Sequence, residues 1–387
     1  MSEWPMVKLG EVCSISIGKT PARKELRYWG EGLPWLSIKD MNQGSLILKT
    51  TESISQIALD ELKITPYSVG TVLFSFKLSI GKVGITAVPL FTNEAIAAIE
   101  PKEQESLNKY YLMEVLREVG KTVEGNAAVM GVTLNKKSLA ELKIPLPPLG
   151  EQKRIAEILG KTTGAISSVQ KQIEQAKKLR SSIVGMASKM AVELRAISEY
   201  FDINPRQPRN IPDNAPTSFV PMANLDETFG ISPIASRFSE HKKGYTYFEN
   251  GDIVLAKITP CFENGKSAIA KLSTQIGHGS TEFHVLRHKN HMHQDACLSP
   301  LLTAAILKQP SFLKPAENFM RGSAGQKRIP VSYIASLKVP VLKSVDLEKI
   351  DQSLEIVEAL LNLYHRKLSL LQELQKSLAT RAFAGLL

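Results

Sequence analysis

A heptad stripe near the carboxyl end constrains the fold more than any other feature of the chain. Apolar residues recur there in a 4-3 pattern, at Leu347, Ile350, Leu354, Val357, Leu361, Tyr364, Leu368, Leu371 and Leu378. Such a stripe, interrupted only at Gln375, is typical of a coiled-coil helix. At 1.5 Å per residue the predicted helix is roughly 60 Å long, so it needs a partner of similar length.

The partner lies in the same chain, because the stripe occurs twice. Subtracting 195 from the seam positions gives the earlier set Ile155, Leu159, Thr162, Ile166, Val169, Ile173, Ala176 and Ile183. The polar break at Gln375 maps to Arg180, which is also polar. The match runs without a gap from 142–187 to 337–382, and an internal repeat of this kind predicts two similar units. If the two helices pair antiparallel, we expect Arg180 near Asp351 or Glu355.

The segments before each helix repeat the same order more loosely. Residues 7–9 resemble 192–194, residues 35–38 lie opposite 219–222, and residues 70–73 match 251–254. In the first segment the pattern predicts strands at 72–76 and 83–88, a helix at 108–120 and a loop at 125–131.

These observations predict an α+β fold with two similar α/β domains. Two long helices separate the domains and form an antiparallel coiled coil, with a pseudo-two-fold relation between the halves. The predicted boundaries are a first domain at 1–148, a first helix at 149–190, a second domain at 191–342 and a second helix at 343–387.

Composition narrows the class of protein. The chain has 387 residues, 43% of them hydrophobic, and no apolar run long enough for a membrane span. Three scattered cysteines and the lack of a signal-peptide pattern lead us to expect a cytoplasmic protein. The net charge of +10 is compatible with a polyanionic partner, although an unspecialised basic protein would have the same charge.

Motifs that would carry catalysis are incomplete. Gly18-Lys19-Thr20 and Gly265-Lys266-Ser267 resemble the end of a P-loop, but its first glycine is replaced by Cys13 and Pro260, so no nucleotide site is expected. Histidines cluster without a standard zinc spacing, which favours a polar loop over a metal site, at His278, His284, His288, His291 and His293. We therefore predict neither catalytic residues nor a metal on this chain.

The remaining chemistry is binding. Arginine and lysine can hold phosphates or read guanine, and asparagine can read adenine. Basic and polar side chains on predicted loops give the DNA-binding candidates Lys19, Thr20, Arg23, Lys24, Arg27, Lys39, Asn42, Lys77, Lys82, Arg206, Arg209, Arg237, Lys242, Lys243, Lys257, Lys266, Arg321, Lys327 and Arg328. For any one of them, a solvated basic surface is the simpler interpretation.

The segment that opens the first helix resembles a known family. Residues 146–155 read Leu-Pro-Pro-Leu-Gly-Glu-Gln-Lys-Arg-Ile, similar to the segment at the first conserved helix of type I restriction–modification specificity subunits. Residues 381–386 look like the close of their second conserved helix, and residues 18–21 and 251–254 look like landmarks of their recognition domains. The resemblance covers the full chain, with a departure at 341–346, where the proline and glutamate–glutamine pairs are missing.

The resemblance implies a function for each part of the chain. It implies two target recognition domains that read an asymmetric, bipartite double-stranded DNA target, spaced by the helices. It also implies two methyltransferase subunits and motor–nuclease restriction subunits as partners. S-adenosylmethionine, ATP and Mg would then belong to those partners, and this chain would bind no cofactor and catalyse nothing. An alternative is a scaffold or adaptor whose two domains bind proteins.

Overall fold

The computed structural model describes residues 4–103, 105–130, 134–226, 230–231, 233–241, 243–289, 297–323 and 325–387. It divides into two compact units. The first unit comprises Met1–Ser168 and Ser369–Leu387, and the second comprises Val169–Leu368. Each unit therefore combines one of the repeated segments with part of each long helix.

The first unit mixes short helices with three small sheets. Its strands are β1 Met6–Lys8, β2 Cys13–Ile17, β3 Trp29–Leu36, β4 Leu46–Ile47, β5 Glu52–Ile54, β6 Val72–Ser75, β7 Val83–Thr86, β8 Phe91–Thr92, β9 Ile96–Pro101 and β10 Lys143–Pro145. Its helices are α1 Leu9–Val12, α2 Gln56–Leu62, α3 Lys109–Met130 and α4 Lys136–Ala140. The strands predicted at 72–76 and 83–88 are confirmed within two residues. The predicted loop at 125–131 is wrong as far as Met130, because α3 continues through two alanines with high helix propensity, and Gly131 lies outside the described residues.

The second unit is built the same way. Its strands are β11 Glu193–Ala196, β12 Phe201–Ile203, β13 Pro216–Val220, β14 Leu225–Asp226, β15 Gly230–Ile231, β16 Ile234–Arg237, β17 Thr246–Glu249, β18 Ile253–Ala256, β19 Ser267–Ile269, β20 Ile276–Gly279, β21 Phe283–His288 and β22 Lys338–Val341. Its short helices, numbered after the long helix α5 (Leu149–Met190), are α6 Ile197–Tyr200, α7 Phe238–His241, α8 Pro300–Leu307, α9 Pro310–Ala316 and α10 Val331–Ser336.

The two units share a sheet order. The main sheet runs β2-β9-β6-β7-β4 in the first unit and β12-β21-β18-β19 in the second. Each unit also has a second sheet with one parallel pair, β5-β3-β8 in the first unit with β3 parallel to β8, and β16-β13-β20-β17 in the second with β13 parallel to β20. Gly70 and Gly251 precede β6 and β18 with φ of +88° and +95°, a conformation that favours glycine. The sequence match at 70–73 and 251–254 is thus confirmed at the level of the backbone.

The sequence match of residues 7–9 with 192–194 is displaced by three residues in the structure. The backbone N–H of Leu9 donates to the carbonyl of Leu142 at 2.7 Å, and that of Ile197 donates to the carbonyl of Leu337 at 2.9 Å. Leu9 and Ile197 are both fully buried, whereas Leu194 is 59% exposed. The structural equivalent of Leu9 is therefore Ile197 and not Leu194, because only Ile197 fills the same core position.

Two long helices pack together, as the heptad pattern predicts. They are α5, defined above, and α11 at Ser344–Phe383. Within their own units, Ile155, Leu159, Val169, Ile173, Ile183, Ile350, Leu354, Val357 and Leu361 are buried, and Ile166, Leu347, Tyr364, Leu368 and Leu371 are half-buried. Among the described residues, no helix is long and apolar enough to cross a membrane.

Both polar breaks in the heptad stripe have polar partners on the other helix. In the second unit, Nη1 of Arg180 lies 3.2 Å from Oε1 of Glu358. In the first unit, Nε2 of Gln375 donates to Oγ1 of Thr163 at 2.7 Å. Both contacts fit an antiparallel pairing of α5 with α11. Arg180 was expected near Asp351 or Glu355. Its ion-pair partner is Glu358, three positions after Glu355, and Asp351 accepts a hydrogen bond from Ser299.

Candidate nucleic-acid interface

The basic loop at 18–29 of the first unit is fixed on a pair of tryptophans. The rings of Trp29 and Trp35 meet edge to face with centroids 5.0 Å apart. The guanidinium carbon of Arg23 lies 3.9 Å from the centroid of Trp29, and Arg23 also pairs with Glu52. Nε1 of Trp35 donates to the carbonyl of Lys19 at 3.2 Å. Arg23 therefore holds the loop in place, while the side chain of Lys19 is exposed.

Two further loops lie beside this one. Thr20 donates to the carboxylate of Glu94, which lowers the pKa of Glu94, and the nearby charges of Lys77 and Arg23 lower it further. Nζ of Lys82 donates to the carbonyl of Ile38 at 3.2 Å. The loop between β6 and β7 is thereby placed next to both the 18–29 loop and the turn at 39–43, which carries exposed Lys39 and Asn42.

Arg27, another DNA-binding candidate of this loop, is paired with two acidic side chains. Its Nη1 lies 2.8 Å from Oε1 of Glu61, and its Nε lies 3.3 Å from Oε2 of Glu25. The hydroxyl of Tyr28 donates to the other oxygen of Glu61 at 2.7 Å. Exposed Lys24 lies in the same loop. The two carboxylates offset part of the charge of Arg27. Glu61 lies 34 residues away in the chain, so its pairing with Arg27 could not be predicted from the sequence.

In the second unit, one group of candidates gathers at the loop between β18 and β19. The backbone N–H of Ile329 donates to the carbonyl of Lys257 at 2.9 Å, and that of Thr259 donates to the carbonyl of Lys327 at 2.9 Å. The loop thus lies against the 321–329 segment. Its candidates are Lys257, Lys266, Arg321, Lys327 and Arg328.

Arg328 is held by an acidic partner as Arg27 is. Its Nε and Nη2 both donate to the carboxylate of Glu282, with Nη2 2.8 Å from Oε1. These hydrogen bonds keep the pKa of Glu282 below its ordinary value. The exposed cations of this group are Arg321 and Lys327.

The other candidates of the second unit lie on its second sheet, β16-β13-β20-β17, or in loops. Arg237 ends β16 and pairs with Pro216 on β13. Exposed Arg206, Arg209 and Lys243 lie in loops, and Lys242 falls outside the described residues. Gln207, next to Arg206, lies 3.1 Å from Nε2 of His278 on β20. The sequence therefore grouped residues that the structure divides between two sheets.

The histidine cluster is likewise divided. His278 is buried in the second sheet of this unit, where burial and nearby His241 lower its pKa to about 4. His284 and His288 lie on β21, and His291 and His293 are outside the described residues. No group of metal-ligating side chains occurs in the described part of the chain. The hydroxyl residues of the two P-loop-like segments are engaged within the fold, since Thr20 donates to Glu94 and Ser267 is buried within β19.

The glutamate–glutamine pair of the family segment has a structural role at the start of α5. Gln152 is fully buried, and its Nε2 donates to the carbonyls of Ser106 and Pro147 at 2.9 and 2.8 Å. Its Oε1 accepts from the backbone N–H of Asn108 at 2.8 Å. Gln152 thus ties the helix start to the loop before α3. Sequence reasoning had assigned this segment only by resemblance.

Comparison with known proteins confirms that resemblance. Residues 1–178 match the family model described as the type I restriction modification DNA specificity domain. The chain is thus related to the specificity subunits of type I restriction enzymes.

Two such subunits of Escherichia coli are similar in sequence. The EcoEI specificity subunit is 41% identical over 147 residues, covering 37% of this chain and 24% of that protein. The EcoAI specificity subunit is 39% identical over 165 residues, covering 41% and 26%. The chain therefore spans about a quarter of the length of these relatives.

A solved structure has the same fold over nearly the whole chain. The S subunit of a type I restriction–modification system from M. genitalium superposes with a TM-score of 0.60 at 14% identity. The match covers 99% of this chain and 96% of that one. The predicted architecture of mixed helix and sheet with two long paired helices is confirmed by this likeness.

Proposed function

We propose that this chain is the DNA sequence-specificity subunit of a type I restriction–modification complex. The observation that carries the proposal is the repetition of cationic loops at one position of the shared sheet. Lys77 and Lys82 flank the loop between β6 and β7, and Lys257 and Lys266 flank the equivalent loop between β18 and β19. Loops of this kind suit a partner with a regularly charged backbone, as duplex DNA has.

The two loops differ in sequence, so each unit would read its own part of the target. An asymmetric, bipartite target follows, with the paired helices as the spacer between its halves. The similarity to specificity subunits adds the expected partners, which are two methyltransferase subunits and motor–nuclease subunits. S-adenosylmethionine, ATP and Mg would be bound by those partners. The purified chain alone would show no methyltransferase, ATPase or nuclease turnover.

Salt-dependent DNA binding tests the proposal. We would measure the affinity of the full chain for a labelled random-sequence duplex by fluorescence anisotropy at several salt concentrations. Each phosphate contact contributes about −0.9 to the slope of log K against log salt concentration. A Lys39→Gln, Lys77→Gln double variant should make the slope about 2 less steep if both lysines contact phosphates.

The matched control is Lys161→Gln, an exposed lysine of α5 that pairs with Glu157. It should leave the slope unchanged within about 0.5. An adaptor that binds only proteins would show no salt-dependent binding of the duplex, and that result would reject the proposed function.

A further inference from the structure

One leucine of the first unit is placed where the fold gives it no role. Leu78, at the tip of the loop between β6 and β7, is 91% exposed. Its φ of +64° lies in the left-handed region, which leucine rarely adopts. Asparagine or glycine would suit this backbone better, and a polar side chain would suit water better. The folded unit therefore does not account for an apolar side chain here.

The loop that carries Leu78 is held firmly at its base. Oγ of Ser75 donates to the carbonyl of Ser79 at 2.5 Å and accepts from the backbone N–H of Lys82 at 2.9 Å. Gly81 packs against Gly120 so closely that a Cβ on Gly120 would lie 2.4 Å from the Cα of Gly81. Leu78 is thus presented by a preorganised turn.

Cationic side chains lie on both sides of Leu78. Lys77 precedes it in the loop, and its charge is near enough to Glu94 to lower the pKa of that carboxyl. Lys82 closes the loop and reaches the carbonyl of Ile38, next to exposed Lys39. An apolar tip between lysines can reach between phosphates that the lysines hold.

We propose that Leu78 is an apolar finger that contacts bases in a groove of duplex DNA. This inference rests on the proposed function and adds a residue that determines specificity to it. Apolar side chains contact the thymine methyl group in the major groove or enter base steps from the minor groove. Phosphate contacts carry no sequence information, so such a base contact would contribute to target choice in a way that the surrounding lysines cannot.

The equivalent loop of the second unit has no such finger. It spans 257–266, three residues more than 76–82, and turns its largest apolar side chain inward. Phe262 is fully buried and packs against Phe312 with ring centroids 5.7 Å apart. The finger should therefore affect only the half of the target that the first unit reads.

The test compares affinities for two duplexes. The wild-type full chain would first select a preferred duplex from a random-sequence pool, and a shuffled version would serve as the second probe. Leu78→Asn suits the left-handed backbone and removes the apolar surface. We expect it to bind the selected duplex about tenfold more weakly and the shuffled duplex within about twofold of wild type. A base-pair substitution scan should show lost discrimination in one half of the selected sequence.

Two controls separate the side chain from the loop. Leu78→Met keeps the apolar reach and should stay within about threefold of wild type on both duplexes. Val69→Ala removes another exposed side chain, 61% exposed, before the opposite end of β6, and should also leave both affinities unchanged. Thermal melting would establish that all three variants fold.

Three results would overturn the inference. They are full affinity of Leu78→Asn for the selected duplex, an equal loss on both duplexes, and lost discrimination spread over both halves of the target. If the wild-type chain shows no salt-dependent binding of either duplex, the proposed function fails, and the inference fails with it.

Discussion

The first and second units have the same sheet order but use different polar groups between their helices. The first unit joins α5 to α11 through the neutral pair Thr163 and Gln375. With the offset of 195 residues, Gln375 corresponds to Arg180 and Thr163 corresponds to Glu358. The second unit therefore has an ion pair where the first has a neutral hydrogen bond. The backbone plan is therefore repeated, whereas the chemistry at equivalent positions is specific to each unit.

The same contrast occurs at the start of each long helix. Gln152 in α5 makes three hydrogen bonds to backbone groups, whereas Leu347 occupies the equivalent position of α11 and is half-buried without a polar group to place. Substitutions that make one unit resemble the other test how far the equivalence extends.

The largest effect is expected from Gln152→Leu, which gives the first unit the residue of the second. It leaves two carbonyls and one N–H without their partner in a buried site. We expect the free energy of unfolding of the first unit to fall by about 3–5 kcal/mol. All three tryptophans, Trp4, Trp29 and Trp35, lie in the first unit, so their fluorescence during urea unfolding reports on it.

The control is Glu151→Gln, a partly exposed neighbour, which should change stability by less than about 0.5 kcal/mol. Equal stability of wild type and Gln152→Leu would mean that the two helix starts are interchangeable and that the hydrogen bonds of Gln152 add nothing.

The next effect is expected from Glu358→Gln in the second unit. The side chain of Arg180 is 10% exposed, and its Nε is buried without a hydrogen-bond partner, so loss of the carboxylate leaves a buried charge. Because Glu358 is itself 25% exposed, we expect a loss of about 2–4 kcal/mol, measured by hydrogen exchange of α11 amides.

A double variant separates the charge from the packing. Arg180→Met with Glu358→Leu removes both charges and should unfold within about 1 kcal/mol of wild type. If the double variant is as unstable as Glu358→Gln, the ion pair would itself stabilise the helices, contrary to our interpretation.

The third effect is a loss of stability of the second unit at acid pH. His278 of the second unit is equivalent to Phe91 of the first unit. His278 pairs in register with Phe219 on β13, as Phe91 pairs with Trp35 on β3. Its folded pKa of about 4 is below the ordinary 6.5, so the unfolded chain binds more protons between these pH values. The second unit should therefore lose about 2–3 kcal/mol as pH falls from 6.5 towards 4.

His278→Phe should reduce this pH dependence of the second unit, while the first unit behaves as wild type. Part of the acid sensitivity should remain, because burial also lowers the pKa of His284 and His365. Hydrogen exchange of β20 and β8 amides at several pH values would resolve the two units. A variant that remains as acid-sensitive as wild type would place the cause elsewhere.

The smallest effect is expected from Gln375→Leu in the first unit. It removes one neutral hydrogen bond and completes the heptad stripe, so stability should change by no more than about 1 kcal/mol. Tryptophan fluorescence during urea unfolding would measure the change. A loss as large as that of Glu358→Gln would erase the distinction between the neutral and the charged contact.

The long helices and the repeat could be predicted because heptads and gap-free spacing are local properties of the sequence. Arg180 was predicted to lie at the seam near Asp351 or Glu355. Its ion-pair partner is Glu358, one turn beyond Glu355 and two turns beyond Asp351, because the exact register depends on side-chain packing. The match of Leu194 to Leu9 failed because an exposed leucine imitates a core residue in sequence.

The candidate interface was harder to predict. The acidic partners of the candidates Arg23 and Arg27 are Glu52 and Glu61, which are distant in the chain, so these ion pairs could not be predicted from the sequence. Leu78 gives no sequence signal, because leucine ordinarily indicates core. Its backbone conformation and exposure become apparent only in the folded loop.

Hydroxyl-radical footprinting of the full chain on its selected duplex would show whether the two units read separate halves of the target. If each unit reads one half of the target, two protected segments should flank an accessible gap. Lys39→Gln with Lys77→Gln should weaken protection of one segment, and Lys257→Gln with Lys327→Gln should weaken the other. One uninterrupted protected segment, or loss of both segments with either pair of substitutions, would contradict the account.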